Sequence, residues 1–483
     1  MSSDTPTMSK QSHTSFPLAT FLIVSAALFM VTLDNLVVTT ALPSIRLDLG
    51  ATLESLEWTV NAYTLAYAVF LLTGAALGDR FGRRRVFTIG LALFTAASAC
   101  AALAPSTGAL VAARALQGIG AAVITPLTLT MLSDAVAPER RGLAIGLWSG
   151  VSGLGVALGP VVGGAIAGGI SWHWIFWVNV PIGIVLVPAA RARLAESHGP
   201  NAKLDLRGVG LAGGGLLALV FGIVRSGALG WTSAPVIGSI AAGIVLLAGF
   251  LVWEARAAEP MLPLRFFRSR TFSATNAVSF AMFFGVVGSI FFLAQYFQTV
   301  QGLSPLQSGL HTLPWTAMPM IVAPIAGLLS DRIGARPLMA TGLALQAVAL
   351  AWIASVAGVD TPYATLVPAF VLGGAGMGLV FAPAANAVLS SVRLQEAGQA
   401  SGATNTIREL GGVLGIAVLA TVFTSAGGYL SPQDYVDGMT AALPVGAAVL
   451  AAGAGAALLV PPRPCARRAA VALDREAPLP SVS

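Results

Sequence analysis

The sequence predicts an all-α membrane protein of fourteen transmembrane helices: two six-helix bundles with pseudo-two-fold symmetry and two further helices inserted between them. Three observations carry that expectation. Of the 483 residues, 56% are hydrophobic and only 10% charged, against about 25% charged in a soluble domain. Most of the charge sits in short clusters between apolar runs of about 18–25 residues, the length a helix needs to cross a bilayer. The alternating segments of about ten residues that mark a membrane β-barrel do not occur. Finally, the chain repeats itself: Leu77-Gly78-Asp79-Arg80-Phe81-Gly82 and Leu329-Ser330-Asp331-Arg332-Ile333-Gly334 share the form L-x-D-R-x-G, as expected of halves related by an internal repeat.

Taken in order, residues 1–16 are polar and read as a disordered tail. The apolar run after them exceeds the 7–15-residue core of a signal peptide, so it reads as a retained first helix. Six candidate spans, at roughly 17–43, 57–78, 86–104, 108–133, 142–166 and 173–190, make a first bundle over 17–190. A basic linker, 191–207, separates it from two spans at 208–226 and 235–255, which read as an insertion over 208–255. A second linker, 256–271, leads into six spans at 272–297, 306–329, 337–357, 363–390, 401–426 and 438–460. These make a second bundle over 272–460, followed by a tail over 461–483.

Basic residues fix the orientation, because they concentrate in cytoplasmic loops. With the N-terminus inside, 22 of the 26 Lys and Arg fall on the cytoplasmic side. Arg46 and Arg225 fall outside, and Arg114 and Arg408 lie within spans. An even number of spans returns the C-terminus to the cytoplasm. The net charge of +6 is spread over loops without an aromatic-interleaved patch, which argues against nucleic-acid binding. Two cysteines, Cys100 and Cys465, form no disulfide framework, and no CxxC or His-rich spacing points to a metal. No cofactor is implied. The segment Gly373-Gly374-Ala375-Gly376-Met377-Gly378 has no preceding strand and lies in an apolar span, so it is not a phosphate loop.

The chemistry starts at Asp34, the one acid in the apolar first span. A charge at the bilayer centre costs about 2.5–3.5 kcal/mol on insertion scales, and such residues mark ion or substrate pathways. Taking up a proton removes that cost. On a helix Asp34, Val38 and Ala41 share a face, with Asn35 and Thr39 beside it, a surface polar enough to line a water-filled cavity. Arg114, in Arg114-Ala115-Leu116-Gln117-Gly118-Ile119-Gly120, is its expected partner: an arginine stays charged when buried and needs a carboxylate or carbonyls nearby. The pair either couples a proton to a conformational change or statically locks two helices; spacing alone does not decide.

Two further patterns bear on movement. In the turn Asp79-Arg80-Phe81-Gly82-Arg83-Arg84-Arg85, Gly82 permits a tight bend, while the carboxylate and arginines can bridge neighbouring helix ends. Asp331 and Arg332 repeat the turn in the second half, with Ala335 where the first copy has Arg83. In the fifth span, Gly155, Gly159 and Gly163 recur every four residues beside Pro160 and Gly164, a smooth stripe for close helix packing with a proline that permits a bend.

These segments, with Trp172-His173-Trp174-Ile175-Phe176-Trp177-Val178-Asn179-Val180-Pro181-Ile182-Gly183, resemble those of the fourteen-helix drug:proton antiporter group of the major facilitator superfamily, over about 17–460. The resemblance implies the major facilitator fold in a bacterial cytoplasmic membrane, Asp34 as protonation site, Arg114 as its coupling partner, and Asp79, Arg80, Gly82, Arg83, Asp331 and Arg332 as parts of a conformational gate. The glycine-proline helix is typical of the superfamily's exporters, so antiport is expected over uptake. Ala75 departs from the motif's usual leading Gly. The expected partners are protons, small lipophilic substrates and the bilayer, with the chain acting as a monomer. The chain has no Walker motif, nucleophile–base set or soluble sensor domain, which excludes an ATP-driven pump, an enzyme and a receptor. An exporter or symporter of a native metabolite or small nutrient is the alternative.

Membrane acids beyond Asp34 are few: Glu57 in the second span and Glu409 in the thirteenth, the latter expected to pair with Arg408 or with another helix rather than to hold a cation. This argues against dications as substrates. Aromatic faces and scattered amides suit bulky amphipathic compounds. The substrate contacts expected on that ground are Asn35, Thr39, Asn61, Tyr63, Tyr67, Phe284, Phe291, Gln295, Gln298, Trp315, Asn386 and Asn405, about half of which should serve ordinary packing or face lipid.

Overall fold

A computed structural model describes residues 18–136, 141–198, 205–258, 260, 262–392 and 397–462. The tail expected over 1–16, the tail beyond residue 462, and Arg140, Lys203 and Arg393 lie outside the described residues. The chain is all helix there: α1 (Leu18–Leu49), α2 (Leu53–Phe81), α3 (Arg83–Ala102), α4 (Thr107–Ala135), α5 (Arg141–Gly169), α6 (Trp174–Trp177), α7 (Asn179–Arg193), α8 (Leu206–Leu229), α9 (Ala234–Arg256), a 3-10 turn (Leu264–Arg268), α10 (Arg270–Thr299), α11 (Pro305–Ile333), α12 (Ala335–Val356), α13 (Tyr363–Ser390), α14 (Ala397–Ala426) and α15 (Pro432–Ala457). Among the described residues thirteen helices are long and apolar enough to span a membrane, or fourteen if α2 is counted as one span bent by 48° between Leu53–Leu71 and Thr73–Phe81. In hydrocarbon each backbone group must bond within its own segment, which is why such runs fold as helices.

Polar residues start the helices at the loops. Thr52 accepts from the Ser55 N–H at 3.2 Å, and Ser106 caps α4 by accepting from Ala109. Ser304 and Gln307 form a reciprocal capping box on α11, which satisfies donors that a helix start leaves free. The expected sixth span, 173–190, is present over Trp174–Arg193, with a one-residue turn at Val178 between α6 and α7. Pro181 has no N–H to offer the Trp177 carbonyl one turn earlier, so the helical ladder breaks there.

Packing shows the two-fold plan. In the first half α2 and α3 pack along α4, and α1 along α5; in the second, α10 packs on α14, and α13 on α11 and α12. The halves meet along two seams, α5 against α11 and α2 against α14. Each seam joins the second helix of one half to the fifth of the other, as a pseudo-two-fold axis requires. The inserted helices α8 and α9 pack on each other, and α8 leans on one seam only, where Leu216, Val220 and Val224 meet Leu65, Val69, Val413 and Ala417.

Candidate functional site

Asp34 is buried at the centre of the first half and is held by three donors. Arg114 Nη1 donates to Oδ2 at 2.5 Å, while Gln117 Nε2 and Asn179 Nδ2 each donate to Oδ1 at 2.8 Å. The same two amides also donate to Ser98 Oγ, at 2.6 and 3.1 Å. Arg114 gives a further bond to Gln117 Oε1 at 2.7 Å and, through Nε, one to the Thr59 carbonyl at 3.2 Å. Its guanidinium lies 4.2 Å over the Tyr63 ring, and its Nη2 is buried without a hydrogen-bond partner. Five helices contribute, α1, α2, α3, α4 and α7. In this state the Asp34 face does not line a cavity, contrary to the sequence expectation: Asp34 is 1% exposed, and Val38 and Ala41 are fully buried. The donors from α4 and α7 occupy the space that water would have taken.

The sequence pointed to Asp34 and Arg114 but not to Gln117, Ser98 or Asn179. A signal existed for two of them. Gln117 stands three residues after Arg114, hence on the same helix face. Asn179 is the one amide in an apolar stretch. Ser98 carries no such mark.

At the arginine-rich turn, Gly82 takes φ 101° between α2 and α3, a conformation that side chains disfavour. Arg83 bridges Asp79 at 2.7 Å and Asp134 at 2.5 Å. The backbone N–H of Arg84 donates to Glu196 at 2.9 Å, and that of Arg83 to the Ser197 carbonyl at 2.9 Å. The turn thus ties α2, α3, the end of α4 and the start of the linker. Arg80 is exposed and stacks on Phe81, outside the bridge. In the second copy Gly334 repeats the positive φ, at 85°, and Arg332 is exposed. The side chain of Asp331 lies outside the described residues.

The glycines of α5 serve two partners. Gly155, Gly159 and Gly163 lie against Thr32, Leu36 and Val37 of α1, while Gly164 abuts the Pro305 backbone and Gly309 the Pro160 backbone. A methyl group at either of the last two would strike a carbonyl. This second set is the α5–α11 seam, which Thr316 reinforces by donating to the Ala157 carbonyl at 3.3 Å. Near the opposite ends of the helices from the arginine-rich turns, Gln298 of α10 donates to the Thr40 carbonyl of α1 at 2.8 Å, and Arg46 covers the Tyr429 ring at 3.7 Å. Burial raises the Tyr429 phenol above its ordinary range, with Arg46 acting against it. The two halves are therefore closed together on that face.

The remaining expected contacts do not gather in one place. Tyr63 stacks on Tyr67, ring centroids 6.2 Å apart, beside the Asp34 network. Asn61 is buried with neither side-chain atom bonded, and the same holds for Glu57 Oε2. Asn35 is half-buried, while Thr39 is buried and donates to its own helix at Leu36. Phe284, Phe291 and Trp315 belong to an apolar core cluster that spans both halves. Gln295 bonds the Phe291 carbonyl and accepts from Tyr429 at 2.6 Å. Asn386 is exposed. Asn405 lines a cavity of about 120 Å³ between α10, α13 and α14, with Arg408 and Phe381. As expected, Arg408 and Glu409 form an ion pair, at 3.6 Å.

Residues 24–416 match the model of the Major Facilitator Superfamily. The chain is 36% identical to the tetracenomycin C resistance and export protein of Streptomyces glaucescens, over 87% of this chain and 78% of that protein. It is 40% identical to the cephamycin export protein CmcT of Amycolatopsis lactamdurans, over 88% of each. Among solved structures it resembles a bacterial homologue of the human lysosomal transporter Spinster, crystallised inward-facing and unoccupied, with TM-score 0.66, 16% identity, and coverage of 93% of this chain and 98% of that one.

Proposed function

The chain belongs to the major facilitator superfamily and is a multi-pass membrane transporter rather than an enzyme; on that premise we propose that it exports lipophilic drugs or antibiotics from a bacterial cell in exchange for protons. Export is supported by the relatives, which are named as export proteins for tetracenomycin C and cephamycin. The observation that carries proton coupling is the Asp34 network. An ionised carboxylate there holds Arg114, Gln117 and Asn179 together by charge. A proton on Asp34 removes that charge, frees Arg114 to seek other acceptors, and loosens α4 and α7 from α1. Because α1 packs on α5, and α5 forms a seam with the other half, a change at Asp34 reaches the interface through contiguous packed helices.

In this reading the described state is closed on the outer face and the arginine-rich face is the cytoplasmic one, with both termini inside the cytoplasmic membrane. The chain works as a monomer whose bundles, 17–190 and 272–460, rock about the seams. Drug enters between them from the cytoplasm, and the proton enters from outside after the α5–α11 seam opens. The turn at Asp79–Arg83 braces one conformation.

The test uses everted membrane vesicles with an imposed pH gradient and a fluorescent pH probe. A panel of lipophilic cations, anions and neutral antibiotics is added to wild type and to Asp34→Asn. The expected outcome is that some compounds dissipate the gradient with wild type and none do with the variant. Equal responses from the two proteins would remove Asp34 from the mechanism, and uptake of the panel compounds by whole cells would remove export.

A further inference from the structure

Arg408 is a half-buried charge within a span, and the proton-coupling mechanism does not use it. Its carboxylate partner is the next residue in the chain, and successive helical residues do not face each other, so the pair is held only by Nη2 at 3.6 Å from Glu409 Oε1. The guanidinium lies 4.6 Å over the Phe283 ring. Its Nε is buried and has no hydrogen-bond partner, and the same is true of Thr404 Oγ1 one turn away. Both residues line the cavity between α10, α13 and α14.

The cavity has two unlike walls. Ser401, Thr404, Asn405 and Arg408 stand at i, i+3, i+4 and i+7, one face of α14, and all four reach the cavity. Every one of them can donate a hydrogen bond, and no carboxylate lines the space. Met282, Phe381, Ala384 and Val388 form the facing apolar wall. The cavity lies near the cytoplasm-proximal ends of its helices, where the proposed loading step takes place.

We infer that this cavity is the recognition site for amphipathic compounds carrying a carboxylate, with Arg408 as the residue that selects the negative charge. The inference rests on the export reading and gives it a substrate class. An arginine offers a planar fork that matches a carboxylate, and one arm of that fork is free here. The hydroxyls and the amide complete the oxygen contacts, while the Phe381 wall takes a flat apolar body. A lipophilic cation finds no carboxylate here and meets the like charge of Arg408, so the site discriminates by repulsion as well as by attraction.

The test is direct binding to the purified full-length protein in detergent at neutral pH. The probes are anthracene-9-carboxylate and its methyl ester, which share the flat apolar body and differ in charge and by one methyl group. Wild type is expected to bind the acid at least about tenfold more tightly than the ester. Arg408→Gln should bring the acid down to about the affinity of the ester. Arg408→Lys, which keeps the charge and loses the fork, should retain part of the preference. Thr404→Val keeps the side-chain shape and should weaken the acid alone, by about two- to fivefold; it tests the same wall even if Arg408→Gln does not fold. Equal binding of acid and ester by wild type, no binding of either, or an undiminished preference in the Arg408 and Thr404 variants would overturn the inference. Binding is read without a gradient. An acid preference in a protein that moves no protons would therefore refute the export mechanism and leave the site standing, whereas gradient dissipation without an acid preference would refute the site alone.

Discussion

The two arginine–carboxylate pairs within the spans are built in opposite ways. Asp34 and Arg114 come from different helices, 80 residues apart; two amides donate to the other carboxylate oxygen, and Ser98 accepts from both amides. Arg408 and Glu409 are chain neighbours, and the arginine, with one nitrogen unbonded, lines a cavity. Arg114 also keeps one nitrogen unbonded, but both Asp34 oxygens are taken by donors, so that pair responds chiefly to a change in its own charge. A pair with capacity to spare can respond to a guest. The first half thus carries what a proton would switch, and the second half what a substrate would meet.

The largest expected effect separates the two at the level of stability. Removing one partner from a closed buried pair strands the other charge, which costs about 3–5 kcal/mol. Arg114→Ala should therefore lower the thermal unfolding midpoint in detergent sharply. Arg408→Ala removes a side chain that is 27% exposed and touches Glu409 only at 3.6 Å, so its cost should be smaller than that of Arg114→Ala. Equal losses from the two substitutions would break the comparison.

A smaller effect sharpens it. Gln117→Leu and Asn179→Leu each take one donor from Asp34 while leaving Arg114 in place. Hydrogen bonds to a charged group contribute about 1.5–3 kcal/mol, so each variant should destabilise by about that amount. Because both amides meet at Ser98 as well as at Asp34, the double variant should depart from the sum of the singles. Additive losses would mean that the two amides act separately.

Much of this was legible in the sequence, for reasons that differ by residue. A lone acid or arginine in an apolar run stands out against hydrocarbon, so Asp34, Arg114, Arg408 and Glu409 could be found without coordinates. The glycines at 155, 159 and 163 recur at a helical period, and the structure places them against α1. Gln117 and Ser98 were not marked, because neutral polar residues occur in many spans for local reasons: Thr64, Thr95 and Thr125 simply bond back to their own helix. The aromatic residues were least legible. Phe291 and Trp315 look like ligand contacts in a list of ring-bearing residues, yet both pack in the core. Ring identity does not say which way a helix is turned, and twenty-two phenylalanines spread over the chain leave no pattern to read.

The smallest effect concerns the turn that braces the first half. Arg83 holds Asp79 and Asp134, but Asp134 is 45% exposed, so water screens the bridge and its contribution to stability should be below about 1 kcal/mol. Its weight should instead appear in the balance between conformations, where a difference of that size alters populations several-fold. The second copy of the turn has Ala335 at the position of Arg83, so that half cannot make the same bridge. Arg83→Gln should therefore loosen only the first half's turn. A cysteine placed at Asp134 in a Cys100→Ser, Cys465→Ser background reports on it. Because that cysteine removes the Asp134 arm itself, the comparison is between this background with and without Arg83→Gln, in which Asp79 is the remaining partner. Thiol labelling should rise by less than about fivefold with the substitution, and thermal stability should hardly change. A labelling change as large as that produced by Asp34→Asn in the same background would place the turn inside the proton switch rather than beside it.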